Sequence, residues 1–185
     1  MRKMYLSAPL PFVGQKRMLA KEFMKVLEQY PDGTLFVDLF GGSGLLSHIT
    51  KSLKPHSTVI YNDFDNYRFR MKHIPQTNQL LADIREMVGN SVPRHKIIKG
   101  ELRERIFSRI EQEENSTGYV DFITLSSSIL FSMKYKLSVQ DMRKEALYNN
   151  IRKTGYPECT DYLEGWKSYL AITRKYSTGI KIFLE

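Results

Sequence analysis

Two carboxylates and a cluster of glycines are the residues with chemistry to offer. Asp38 stands directly ahead of Leu39-Phe40-Gly41-Gly42-Ser43-Gly44, and a second acid, Asp63, closes the run Thr58-Val-Ile-Tyr-Asn-Asp63. A turn with three glycines lets the backbone approach a bound molecule closely. An acid ahead of such a turn repels a phosphate and suits a cation, while an acid at the carboxyl end of a strand can hold ribose hydroxyls. Two familiar nucleotide loops are excluded. The glycines at 41, 42 and 44 do not make G-x-G-x-x-G, and a P-loop ends in lysine and a hydroxyl, whereas the next lysine here is Lys51.

A cationic ligand with an adenosyl group satisfies both acids. S-adenosylmethionine carries a sulfonium and an ammonium, so Asp38 is expected to face its methionine end and Asp63 its ribose. Phe40, Gly42 and Gly44 supply the loop. Upstream, Phe12 and Lys16 in Pro11-Phe-Val-Gly-Gln-Lys-Arg17 are expected to form a lip beside it. A tight turn with two solvated aspartates, and a merely solvated Lys16, remain the alternatives from the residues alone.

The elements that must position these groups follow from periodicity. Phe36-Val-Asp38 reads as a strand, Leu45-Leu46 opens a helix, and Thr58 to Tyr61 reads as a second strand, which is a βαβ crossover. Between about Gln15 and Tyr30, Met18, Leu19, Phe23, Val26, Leu27 and Tyr30 recur at helical steps, ended by Pro31-Asp-Gly33. Phe64 to about Lys72 reads as a polar connection. Gln76 to Val88 reads as a helix with Leu80, Leu81, Ile84, Met87 and Val88 inward, and Gly89, Asn90 and Pro93 stop it. Acids interleave with the basic stretch from Arg94 to Arg109, which points to helical salt bridges. Tyr119 to Met133 reads as a buried helix with strand character.

With 185 residues, 42% hydrophobic and 12% aromatic, the chain has room for one core and a modest inserted lobe. Cys159 is the single cysteine, so an internal disulfide framework and a cysteine zinc cluster are excluded. No apolar run reaches membrane-spanning length, so a soluble, cytoplasmic protein with neither membrane nor metal is expected. The net charge of +8 suits a polyanionic partner. Residues 1–70 carry ten basic and six acidic side chains, 71–165 fourteen and thirteen, and 166–185 four and one, so a local surface must do the binding. Lys134, Lys136, Arg143 and Lys144, followed by Arg152-Lys153 with Tyr148, Asn149 and Asn150 between, are the candidates for DNA phosphates and base edges.

Pro11-Phe-Val-Gly-Gln-Lys16, Phe36-Val-Asp-Leu-Phe-Gly-Gly-Ser-Gly44 and Tyr61-Asn-Asp63 together resemble the opening motifs of the D12 class of adenine-specific DNA methyltransferases. The resemblance implies an α/β, Rossmann-like S-adenosylmethionine-dependent core over residues 1–70 with an inserted, mostly helical target-recognition domain over 71–165. It implies Phe12 and Lys16 at the cofactor and substrate lip, Asp38, Phe40, Gly42 and Gly44 in the cofactor loop, Asp63 on the ribose, and double-stranded DNA as partner. Phe12 stands where many members have tryptophan, and Leu39 where many have proline.

The family's chemistry lies in a later D-P-P-Y tetrapeptide, whose acid and a proline carbonyl accept hydrogen bonds from the adenine amine. All seven prolines here are isolated, so no catalytic residue of that kind is assigned. Residues 166–185 fit the family pattern poorly. Permissible codons for them, read two nucleotides later, can encode a peptide resembling the family's approach to that tetrapeptide. A truncated or frameshifted, inactive adenine methyltransferase is therefore the expectation. The rivals are a non-catalytic DNA- or cofactor-binding module and a methyltransferase for another substrate, with a nicotinamide oxidoreductase last.

Overall fold

A computed structural model describes residues 3–14, 16–131 and 134–163, apart from the side chains of Thr160 and Leu163. The chain forms two compact units. The first takes everything up to Phe69 together with the residues from Cys159 onward, and the second runs from Arg70 to Glu158.

In the first unit, strand β1 (Leu35–Asp38) leads through the glycine loop into helix α2 (Leu45–Leu53), and strand β2 (Thr58–Tyr61) returns parallel to β1. The register sets Asp38 opposite Tyr61, and Asn62 N–H donates to the Asp38 carbonyl at 3.0 Å, so the ladder continues to the mouth of the loop. Leu10, Leu27, Leu45, Ile49, Val59 and Tyr67 make the core. The helix expected from Gln15 to Tyr30 is shorter. A single 3-10 turn (Lys16–Leu19) precedes helix α1 (Ala20–Glu28), and only Ala20 and Leu27 of α1 are buried. Met18 lies in the 3-10 turn ahead of α1 and is 84% exposed.

The segment after β2 is a helix rather than a polar connection: α3 spans Tyr67–Lys72. Asp63 starts it, its carboxylate accepting from the backbone N–H of Tyr67 at 2.6 Å and of Arg68 at 3.0 Å. This satisfies two of the otherwise orphaned donors of a helix start.

The second unit is mostly helical. Helix α4 (Ile74–Val88) begins two residues earlier than its periodicity suggests, since Pro75 is well placed in a first turn, and it ends at Gly89. Strand β3 (Ile97–Ile98) leads to α5 (Gly100–Thr117), α6 (Phe122–Ile129), α7 (Val139–Arg143) and strand β4 (Leu147–Tyr148), which pairs antiparallel with β3. Ile84, Ile98, Ile106, Phe107, Ile110, Leu125, Ile129, Met142 and Leu147 form this unit's own core. Beneath it lies a buried ion pair: Arg70 Nε is 3.1 Å from both oxygens of Asp121, and Arg70 Nη2 donates to Thr124 Oγ1. Asp121 also caps α6 through the Thr124 N–H.

Candidate functional site

The glycine loop closes one side of a cavity of about 430 Å³, within the roughly 300–1,000 Å³ of small-molecule sites. Phe12, Gly14, Lys16, Leu39, Phe40, Gly41, Gly42, Ser43, Leu45, Asn62, Phe64 and Asp65 line it. Phe40 and Phe64 are 82% and 75% exposed at its rim. Large apolar rings left in water beside a concave site offer faces to stack a planar ligand or to meet a cation.

The loop's glycines are required by close approach. A Cβ on Gly41 would lie 2.1 Å from the ring of Tyr61, and one on Gly42 would meet Phe12 at 2.8 Å, at a φ of +52° that side chains rarely adopt. Gly44, at φ +67°, turns the chain into α2. Tyr61 lies under the loop, its hydroxyl donating to the Gly42 carbonyl at 2.5 Å, with Asp63 Oδ1 at 3.1 Å. Burial, then the charge of Asp63, raises the Tyr61 hydroxyl well above its ordinary 10, so it stays a donor. From the returning segment, the Tyr162 hydroxyl donates to the Ser43 carbonyl at 2.9 Å.

The proposed cofactor residues thus occupy two layers. Phe12, Lys16, Phe40 and Gly42 line the cavity, whereas Asp38, Gly44 and Asp63 are not among its lining residues. Asp38 accepts from Ser47 Oγ at 2.7 Å and lies 3.6 Å from Lys16 Nζ, which also donates to the Phe40 carbonyl. Asp63 is occupied by α3 and Tyr61. The acid that lines the cavity is Asp65, two residues on, accompanied by Asn62, whose amide donates to the Leu39 carbonyl. Sequence reasoning passed over Asp65, Phe64 and Tyr162. The signal for Asp65 was a second acid in Asn62-Asp-Phe-Asp65.

The four basic side chains read as DNA contacts are all engaged with acids. Lys134 and Lys136 hold Glu145 at 2.5 and 3.0 Å, and Lys144 holds Asp141 at 2.7 Å. Arg143 bridges Glu104 and Glu111 at 2.6 and 2.9 Å and lies over the Phe107 ring. The Lys134 and Lys136 ammonium groups hold the Glu145 carboxyl below its usual range, and Arg143 followed by Arg103 does the same to Glu104. Among the described residues no cluster of ligating side chains suits a metal ion, and no helix is long and apolar enough to cross a membrane.

A parallel β-α-β unit whose glycine loop walls an aromatic, acid-bearing cavity has room for a small molecule at the end of its strands. A family model of D12 class N6 adenine-specific DNA methyltransferases matches residues 12–168, and the chain belongs to that family. It is also 38% identical over 191 residues to a Haemophilus influenzae (strain Rd) protein named "Putative methyltransferase". The alignment covers 99% of this chain and 64% of that protein, so the chain spans under two thirds of the relative's length. It extends into residues 166–185, the stretch expected to be truncated or frameshifted, which lies outside the described residues. No solved structure matches.

Proposed function

We propose that residues 12–65 bind S-adenosylmethionine and that the protein to which they belong transfers its methyl group to the exocyclic amine of adenine in duplex DNA. The observation that carries this is the donor set of the cavity. It offers aromatic faces at Phe12, Phe40 and Phe64, an acid at Asp65, the amide of Asn62, a Lys16 ammonium already held by Asp38 and the Phe40 carbonyl, and a loop without a phosphate-binding lysine at its end. This set fits a cationic nucleoside and disfavours a pyrophosphate.

S-adenosylmethionine supplies an electrophilic methyl on sulfur; the residues here position it. Gly41 and Gly42 admit close approach, and Tyr61 and Tyr162 hold the loop from below. Phe40 and Phe64 would hold the adenine and sulfonium and Asp65 the ribose hydroxyls, while Asp63 fixes the start of α3 just beyond. Lys16 screens Asp38 and pins the loop through the Phe40 carbonyl. Such positioning converts a bimolecular methyl transfer into an oriented one. These 185 residues contain no D-P-P-Y tetrapeptide. The transfer step is therefore proposed for the whole protein and the binding for this stretch. We further read the core as Rossmann-like and the unit Arg70–Glu158 as the target-recognition domain.

Incubation with methyl-tritiated S-adenosylmethionine and duplex DNA, followed by base analysis, tests the reading. Label in N6-methyladenine supports it. Cofactor binding with no label in DNA supports the binding-module reading, and label in RNA or protein alone contradicts adenine as acceptor.

A further inference from the structure

Two stretches of the second unit carry cations and no acids. Between Glu86 and Glu101 lie Arg94, Lys96 and Lys99, and between Glu145 and Glu158 lie Arg152 and Lys153. The fold joins these stretches in one ribbon. β3 pairs with β4, His95 N–H donates to the Asn149 carbonyl at 2.8 Å, and Asn149 N–H donates to the Lys96 carbonyl at 2.9 Å. All five cations are exposed, and among the described residues none has an ion pair, although Arg152 lies over the Tyr156 ring at 4.8 Å. By contrast, Lys134, Lys136, Arg143 and Lys144 of the same unit are neutralised by neighbours.

The ribbon's amides are committed to holding it. Asn149 Nδ2 donates to the Val92 carbonyl at 2.7 Å and Asn150 Nδ2 to the Leu130 carbonyl at 3.1 Å. His95 Nδ1 donates to Asn150 Oδ1 at 2.9 Å, in a left-handed backbone conformation with φ 63°. Groups already paired are not available for base edges, whereas unpaired exposed cations attract phosphates at little desolvation cost.

We propose that this β3–β4 ribbon, through Arg94, Lys96, Lys99, Arg152 and Lys153, is the surface that grips the phosphate backbone of duplex DNA, positioning it without reading its sequence. The proposal rests on DNA being the substrate. It differs from a base-reading role for Asn149 and Asn150 and from a contact role for Lys134 and Lys136.

The test is anisotropy of the full chain with a short fluorescent duplex of mixed sequence and a second of unrelated sequence, across a salt series. The triple variant Arg94→Gln, Lys96→Gln, Lys99→Gln is expected to reduce the slope of log K against log salt by about 2–3, near 0.9 per phosphate contact, equally on both duplexes. The control triple Lys134→Gln, Lys136→Gln, Lys144→Gln is expected to change it by less than about 1. An unchanged slope in the ribbon variant at unchanged Tm, or a loss confined to one duplex, overturns the proposal while leaving DNA as substrate. A wild-type chain that binds neither duplex overturns both; retained cofactor binding by calorimetry then leaves a methyltransferase acting elsewhere.

Discussion

The Tyr162 hydroxyl donates to the carbonyl of Ser43 across 2.9 Å, joining a 3-10 turn (Thr160–Leu163) to the glycine loop 119 residues earlier. His48 of α2 stacks on the same ring at 4.7 Å, and Tyr5 meets both rings edge-on. The loop is therefore held on two sides, by Tyr61 through Gly42 and by Tyr162 through Ser43. Tyr162→Phe keeps the ring and deletes the donor. It is expected to weaken S-adenosylmethionine binding roughly 3–10-fold, the equivalent of one net hydrogen bond, as read by calorimetry. Unaltered affinity would remove Tyr162 from the loop's support.

The same two tyrosines make stability depend on alkaline pH. Burial is the first cause that raises both hydroxyls far above their ordinary 10. A group whose folded pKa is raised stabilises fully below its unfolded pKa and progressively less above it, because only the unfolded chain releases the proton. Denaturant titrations are thus expected to show stability falling above pH 10. The fall should be shallower in Tyr61→Phe and Tyr162→Phe. Equal slopes in wild type and variants would contradict the assignment.

Gly41 leaves no room for a side chain. Gly41→Ala places a Cβ 2.1 Å from the Tyr61 ring, so ring and loop must separate. The expected cost is about 1–3 kcal/mol of stability by chemical denaturation, with S-adenosylmethionine affinity reduced at least tenfold. Gly33→Ala is the contrasting control, because nothing lies within 4 Å of its Cβ; its φ of +95° costs some stability but leaves the cavity unchanged.

Asp63 and Asp65 separate by their effects. Asp63 caps α3, so Asp63→Ala is expected to cost about 1 kcal/mol of stability and to lower cofactor affinity through the loss of that helix start. Asp65 is exposed and lines the cavity, so Asp65→Asn is expected to lower affinity about tenfold with Tm unchanged. Thermal melting alongside calorimetry distinguishes them, and a Tm loss in Asp65→Asn with full affinity would reverse the two roles.

In the second unit, the Asp121 side chain is 1% exposed, paired with Arg70 and caps α6. Asp121→Ala leaves a buried guanidinium short of its partner and is expected to destabilise by about 3–5 kcal/mol. A loss below about 1 kcal/mol would mean that Arg70 is rescued by water.

The strand, loop, helix and strand around the glycines were legible because each element announces itself locally: apolar β-favouring runs, a glycine turn and an acid at a strand end. The start of α3 was not, since it depends on how the Asp63 carboxylate folds back onto Tyr67 and Arg68. Charge was the least legible feature. The partners of Lys134 and Arg143 could not be read, because Glu145 and Glu111 lie 11 and 32 residues away and are brought near only by packing. Tyr162 carried no signal at all, as its partner Ser43 lies 119 residues earlier. Which of two neighbouring aspartates lines a cavity is likewise a matter of backbone path, which composition and spacing do not encode.

Titration of S-adenosylmethionine into the purified chain by calorimetry, with nicotinamide adenine dinucleotide in parallel, tests the account most directly. It predicts one-to-one binding of S-adenosylmethionine that Asp65→Asn weakens, and no heat from the dinucleotide. Binding of the dinucleotide, or no binding of S-adenosylmethionine at millimolar concentration, would contradict it.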